Sequence, residues 1–107
     1  MTYKYLPTEN AVLLKRVLKW IEKLHGRPVI YAVMDEDGGT YRTKNADKVL
    51  TYLDGNGEEM GVNYLDAETG DFLGWMGVMP YELDPESVIF DYSDKSLMGE
   101  ALGRAGL

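Results

Sequence analysis

Three acidic turns hold residues of the types that bind metals or move protons: Asp35-Glu36-Asp37-Gly38-Gly39, Asp54-Gly55-Asn56-Gly57-Glu58-Glu59 and Asp66-Ala67-Glu68-Thr69-Gly70-Asp71. Carboxylates grouped around glycine invite a calcium reading. A helix-flanked calcium loop takes oxygen ligands at its first, third and fifth positions, glycine at the sixth and a bidentate Glu at the twelfth. Counted from Asp35, the sixth residue is Thr40 and the twelfth Ala46; counted from Asp54, they are Glu59 and Leu65. Neither turn supplies the glycine or the closing Glu. Acids in such positions serve their own turns, accepting hydrogen bonds from nearby backbone N–H groups.

General acid–base catalysis needs a carboxyl whose pocket perturbs its pKa, and turn carboxylates stay hydrated and ionised. His25 is the one histidine and there is no cysteine. A metal centre would therefore draw every other ligand from carboxylates, and no thiol nucleophile is available. His25 stands beside Gly26 at the end of a helical pattern, where an imidazolium interacts favourably with the helix dipole. Gly55, Gly57 and Gly61 lack the Gly-Lys-Ser/Thr ending of a phosphate loop and are surrounded by acids. The expectation is a protein that is not an enzyme, with no cofactor and no metal.

Charge is the more informative signal. The formal net charge of −7 is unevenly spread. Lys4, Lys15, Arg16, Lys19, Lys23 and Arg27 stand against Glu9 and Glu22, so the first 27 residues carry +4 and the rest carries −11. From Asp54 to Asp94 there are eleven carboxylates and no Lys or Arg. Local ion pairing would have interleaved the signs. Such a block steers a basic partner and repels nucleic acid and anionic membranes. Asp54, Glu58, Glu59, Asp66, Glu68 and Asp71 are the candidate partner-binding acids, with an outward Trp75 as an apolar anchor inside a charged rim. In size and charge the chain resembles the anti-defence proteins of phages and mobile elements, or toxin-immunity proteins. That resemblance implies an inhibitor that occupies a basic, nucleic-acid-binding surface as a mimic of nucleic acid. The alternatives are a ligand-binding domain or enzyme with a pocket between helix and sheet, and a structural subunit whose acidity only aids solubility.

A chain of 107 residues is one domain able to bury a core without disulfides. The absence of cysteine fits a reducing compartment, and no apolar run reaches membrane-spanning length. A soluble, cytoplasmic protein is expected.

The elements that must position these residues form an α+β fold. An N-terminal amphipathic helix packs on an antiparallel β-meander of about four to six strands, followed by a short C-terminal helix. Thr8 to His25 is the helix, with Thr8 as cap, Gly26 and Pro28 as its end, and Leu14, Val17, Ile21 and Leu24 on its buried stripe. Lys15, Arg16, Lys19 and Lys23 occupy the opposite side. Pro28 to Met34 reads as a central strand covered on both faces, and Thr40 to Lys44 as its return.

Residues 44–53 fit two readings. Ala46, Val49, Leu50 and Leu53 have helical spacing, with Asn45 as a possible cap. An echo of Tyr52-Leu53-Asp54 in Tyr64-Leu65-Asp66 instead tips the expectation toward a strand from Val49 to Leu53. Met60 to Leu65 and Phe72 to Val78 form a hairpin. With Tyr64 facing Phe72, its core side carries Met60, Val62, Tyr64, Phe72, Met76 and Val78, and Trp75 lies over Gly61 on the other side. A last edge strand spans Ser87 to Tyr92, and Ser93 caps a weak helix from Asp94 to about Leu102.

Overall fold

The computed structural model describes residues 3–34, 38–55 and 59–106. The fold is α+β. Helix α1 (Thr8–His25) is followed by strands β1 (Val29–Met34) and β2 (Thr40–Thr43), helix α2 (Ala46–Leu53), strands β3 (Met60–Asp66), β4 (Phe72–Val78) and β5 (Ile89–Tyr92), and helix α3 (Lys95–Ala105). The five strands make one antiparallel sheet in the order β2-β1-β3-β4-β5. Strands β3, β4 and β5 are a true meander. The β1–β2 hairpin joins it through α2, which carries the chain past β1 so that β3 pairs on the far side.

Helix α1 starts one residue earlier than the capping pattern suggests. Pro7 is the cap position, without a side-chain bond, and Thr8 is the first helical residue. Proline suits this point because its missing N–H would be unsatisfied anyway. The first turn is instead secured by Asn10, whose buried amide donates to the carbonyls of Pro80 and Glu82, each at 2.8 Å. At the other end Gly26 takes the left-handed conformation, φ 79°, and its N–H returns to the Glu22 carbonyl. The stripe of Leu14, Val17, Leu18 and Ile21 is fully buried.

Residues 46–53 are helix, not strand. The Asn45 side chain accepts the Asp47 N–H at 2.8 Å, and Ala46, Val49, Leu50 and Leu53 are all buried. In a strand, successive residues would alternate faces and expose half of this set. Helix α3 begins after Asp94, whose carboxylate accepts the Leu97 N–H, so Asp94 and not Ser93 is its cap.

All three helices gather on one face of the sheet. Leu14 and Ile21 of α1, Leu50 and Leu53 of α2, and Met98 and Ala101 of α3 join Tyr31, Val33, Val62, Tyr64, Met76 and Val78 in one hydrophobic cluster. Among the described residues no helix covers the other face. On that face of β1 Ala32 is buried between its neighbours Arg42 and Asn63, Ile30 is part-buried, and Met34 at the strand end is 41% exposed. No helix among the described residues is long and apolar enough to cross a membrane.

The β3–β4 hairpin departs from the expected register through a bulge. Tyr64 stands opposite Gly74 and Leu65 opposite Phe72, leaving Leu73 as the extra residue. Met60, Val62, Tyr64, Met76 and Val78 do face the core, but Phe72 moves to the open face, 57% exposed. The shift comes directly after the close-packed Tyr64–Gly74 pair. A Cβ built on Gly74 would collide with the Tyr64 hydroxyl oxygen and lie 2.7 Å from Cζ, so the ring lies where only glycine leaves room. Gly74 is the last partner of the regular ladder, and the bulge follows between Tyr64 and Leu65.

Candidate interface on the open face of the sheet

The open face is built by alternation. On β3, Gly61, Asn63 and Leu65 point away from the helices, opposite Gly77, Trp75 and Phe72 of β4. Gly61 and Gly77 are direct partners, so neither β3 nor β4 raises a side chain of its own in the middle of this face. Its walls come from neighbouring strands. The Met34 methyl lies 3.8 Å from where a Gly61 Cβ would be, and the Phe90 ring lies directly on Gly77. Met34, not Trp75, is therefore the side chain that rests on Gly61, and Trp75 stands opposite Asn63.

A second irregularity shapes the far wall. Val78 pairs with Ile89 and Gly77 with Asp91, so Phe90 is an extra residue in β5. The kink turns both Phe90 and Asp91 toward the same side, which regular alternation forbids. The result is an open trough of about 610 Å³ lined by Met34, Glu59, Gly61, Trp75, Phe90 and Asp91, among others. Trp75 is held firmly: its N–H donates to the Ser93 hydroxyl at 2.8 Å and its carbonyl accepts the Ser93 N–H at 3.0 Å. Asp91 Oδ1 accepts the Tyr92 N–H at 2.8 Å, which orients the carboxylate. Neither Glu59 nor Asp91 has a basic partner among the described residues.

The acids singled out in the sequence do not all share this surface. Asp54 is committed to the fold. Its carboxylate accepts the N–H groups of Lys4, Tyr5 and Leu6 at 2.9, 2.6 and 2.9 Å and pins the N-terminal segment to the end of α2. Desolvation pushes its carboxyl up, but those three backbone donors outweigh it and hold it below the ordinary value.

Asp66 is buried, 1% exposed. Its Oδ1 accepts the N–H groups of Glu68 and Thr69, while Oδ2 lies 2.6 Å from both His25 Nε2 and Arg27 Nη2. The Thr69 backbone donor, with His25, lowers its carboxyl well below the usual range. His25 thus serves as a side-chain partner of the β3–β4 turn as well as standing in the last turn of α1.

Glu68 is exposed and has Arg27 Nη1 at 3.7 Å; Asp71 is exposed with no basic partner among the described residues. Glu58 lies outside the described residues, as do Asp35, Glu36 and Asp37 of the first acidic turn. The structure therefore places Glu59 at one end of β3, Trp75 opposite its middle, and Glu68 and Asp71 at the other end, about 20 Å from Glu59 along the strand. It withdraws Asp54 and Asp66 from any partner.

Asp91, Phe90, Met34 and Gly77 were missed as site residues. Glycines inside both strands of the hairpin were the available signal, since strand glycine marks a close approach. Among the described residues no three carboxylate or imidazole groups converge as a metal site. The basic side of α1 is a separate surface: Lys15 pairs with Asp47 at 2.8 Å, Lys19 with Glu22 at 3.5 Å, and the Lys23 ammonium lies 4.7 Å from the Trp20 ring centre. Comparison with protein-family models, with curated proteins and with solved structures finds no match, so the geometry of the open face stands alone as the guide to function.

Proposed function

We propose that this chain is a non-enzymatic binding protein that engages a basic surface of a partner protein through the open face of its sheet. The observation that carries this reading is the uncovered face itself. Trp75, Met34 and Phe90 form an aromatic and aliphatic trough flanked by the carboxylates of Glu59 and Asp91, which have no basic partner among the described residues. Half-exposed aromatic anchors inside a charged rim are the usual anatomy of an interface centre. Glu68 and Asp71 extend the acidic field along the sheet. The space between helices and sheet is filled by fully buried side chains such as Tyr31, Tyr64, Leu14 and Leu50, which favours the outer surface over an interior ligand pocket. With Asp54 and Asp66 bound into the fold, an apolar anchor with flanking charges describes this surface better than an extended row of phosphate-like carboxylates. Occupation of a nucleic-acid-binding partner belongs to the same reading, because such partners carry basic surfaces. The lack of cysteine fits an encounter in a reducing compartment such as the cytoplasm.

The test is capture of partners from the native host on the immobilised protein, at rising salt. A basic protein retained by the wild type should be released progressively as salt screens the rim. It should be lost with Trp75→Ala and with the double reversal Glu59→Lys/Asp91→Lys, both of which leave the helical core untouched. A captured set that ignores salt and both variants overturns the reading.

A further inference from the structure

We infer that the trough between Trp75 and Phe90 is a slot for one arginine side chain of the partner. This deepens the proposed function and rests on it. The slot offers, in sequence, what an arginine side chain presents. Its floor is the backbone of Gly61, with the Met34 methyl alongside, continued by the Phe90 ring that covers Gly77. Its walls include the Trp75 indole, and the faces of both rings attract a cation. At its edge stand Asp91 and Glu59, free of other basic groups among the described residues. The guanidinium is planar, weakly hydrated and forked, so it can lie against an aromatic face while donating to a carboxylate. A lysine ammonium is a strongly hydrated point charge and would use the acids but little of the ring surface. The trough is open along its length, which suits a side chain delivered from another protein surface rather than an enclosed free ligand. The site is also preformed, since Ser93 fixes the Trp75 backbone from two sides and the Tyr92 N–H orients Asp91. A preformed slot spares the ordering cost of binding.

The probe is N-acetyl-L-arginine amide, titrated into the ¹⁵N-labelled protein, with the lysine and citrulline amides as controls. The Trp75 indole N–H is assigned with Trp75→Phe. Arginine amide should move the Trp75 indole and the Gly61 and Gly77 amides saturably at millimolar concentration, while the Trp20 indole stays still. Lysine amide should bind at least fivefold more weakly. Citrulline, isosteric but neutral, should give no saturable shift. Asp91→Asn should weaken arginine at least fivefold with the rest of the spectrum unchanged; if that variant fails to fold, Glu59→Gln serves in its place. Equal binding of citrulline, tighter binding of lysine, or indifference to loss of the carboxylate overturns the slot. Failure here alongside a partner still lost with Trp75→Ala would leave the interface standing without the arginine. A partner that ignores Trp75 would instead remove the interface itself.

Discussion

Gly74→Ala tests the close packing of Tyr64 on Gly74, the last regular pair before the bulge in the β3–β4 hairpin. The new Cβ would collide with the Tyr64 hydroxyl oxygen and lie 2.7 Å from its Cζ and 2.9 Å from Asp94 Cβ. Neither neighbour is a free-swinging end. Tyr64 is fully buried, and Asp94 is held by its cap bond to the Leu97 N–H. Overpacking of this kind costs about 1–3 kcal/mol, and two stiff neighbours put this site near the top, at about 3 kcal/mol. For a domain of this size each kcal/mol lowers Tm by about 4–8 °C, so a fall of at least about 12 °C is expected. Tyr64→Phe supplies the control. The Tyr64 hydroxyl is buried without a hydrogen-bond partner among the described residues, and burial raises its pKa to about 12. Deleting an unsatisfied buried hydroxyl should be neutral or stabilising by about 1 kcal/mol. In the double variant the closest contact is gone while the ring carbon remains. Gly74→Ala should therefore cost at least about 1 kcal/mol less in the Tyr64→Phe background, measured as a coupling energy from urea unfolding. A harmless Gly74→Ala, or strict additivity of the two changes, would refute the close packing of the Tyr64 ring on Gly74.

Ile21→Ala should destabilise by about 2–5 kcal/mol, because Ile21 is fully buried under the helical layer, whereas Lys19→Ala on the exposed side should change chemical unfolding by less than about 0.5 kcal/mol. Asn45→Ala removes the side-chain acceptor for the Asp47 N–H and should cost about 1 kcal/mol in the same assay. Asp66 governs an acid limb of stability. Its folded pKa lies below that of an ordinary aspartate in the unfolded chain, so its contribution is fully present above the unfolded value and is lost as pH falls through the folded pKa. Asp66→Asn should lower Tm at pH 7 and flatten its fall in the acid range; an unchanged acid limb would contradict the His25–Asp66–Arg27 cluster.

Much of the fold follows from local pattern. Residues 8–25 could only be an amphipathic helix, because the apolar stripe, the glycine stop and the following proline agree. The strands at 29–34, 60–66 and 72–78 follow from β-branched and aromatic runs bounded by turn residues. Tertiary structure decided the rest. Residues 46–53 could satisfy either period over so short a run, and only the shared core under α1 and across β1 selected the helix. The place of Phe72 depended on the bulge that follows the Tyr64–Gly74 pair, which the alternation of the run does not announce. Above all, the sequence supplied carboxylates without saying which were spent. Asp54 and Asp66 look like Glu59 and Asp91 in one dimension. Three backbone donors claim the first, and a histidine and an arginine from the end of α1 claim the second, through contacts between residues about forty to fifty positions apart. What stays unclaimed, beside Trp75, is a property of the folded surface alone.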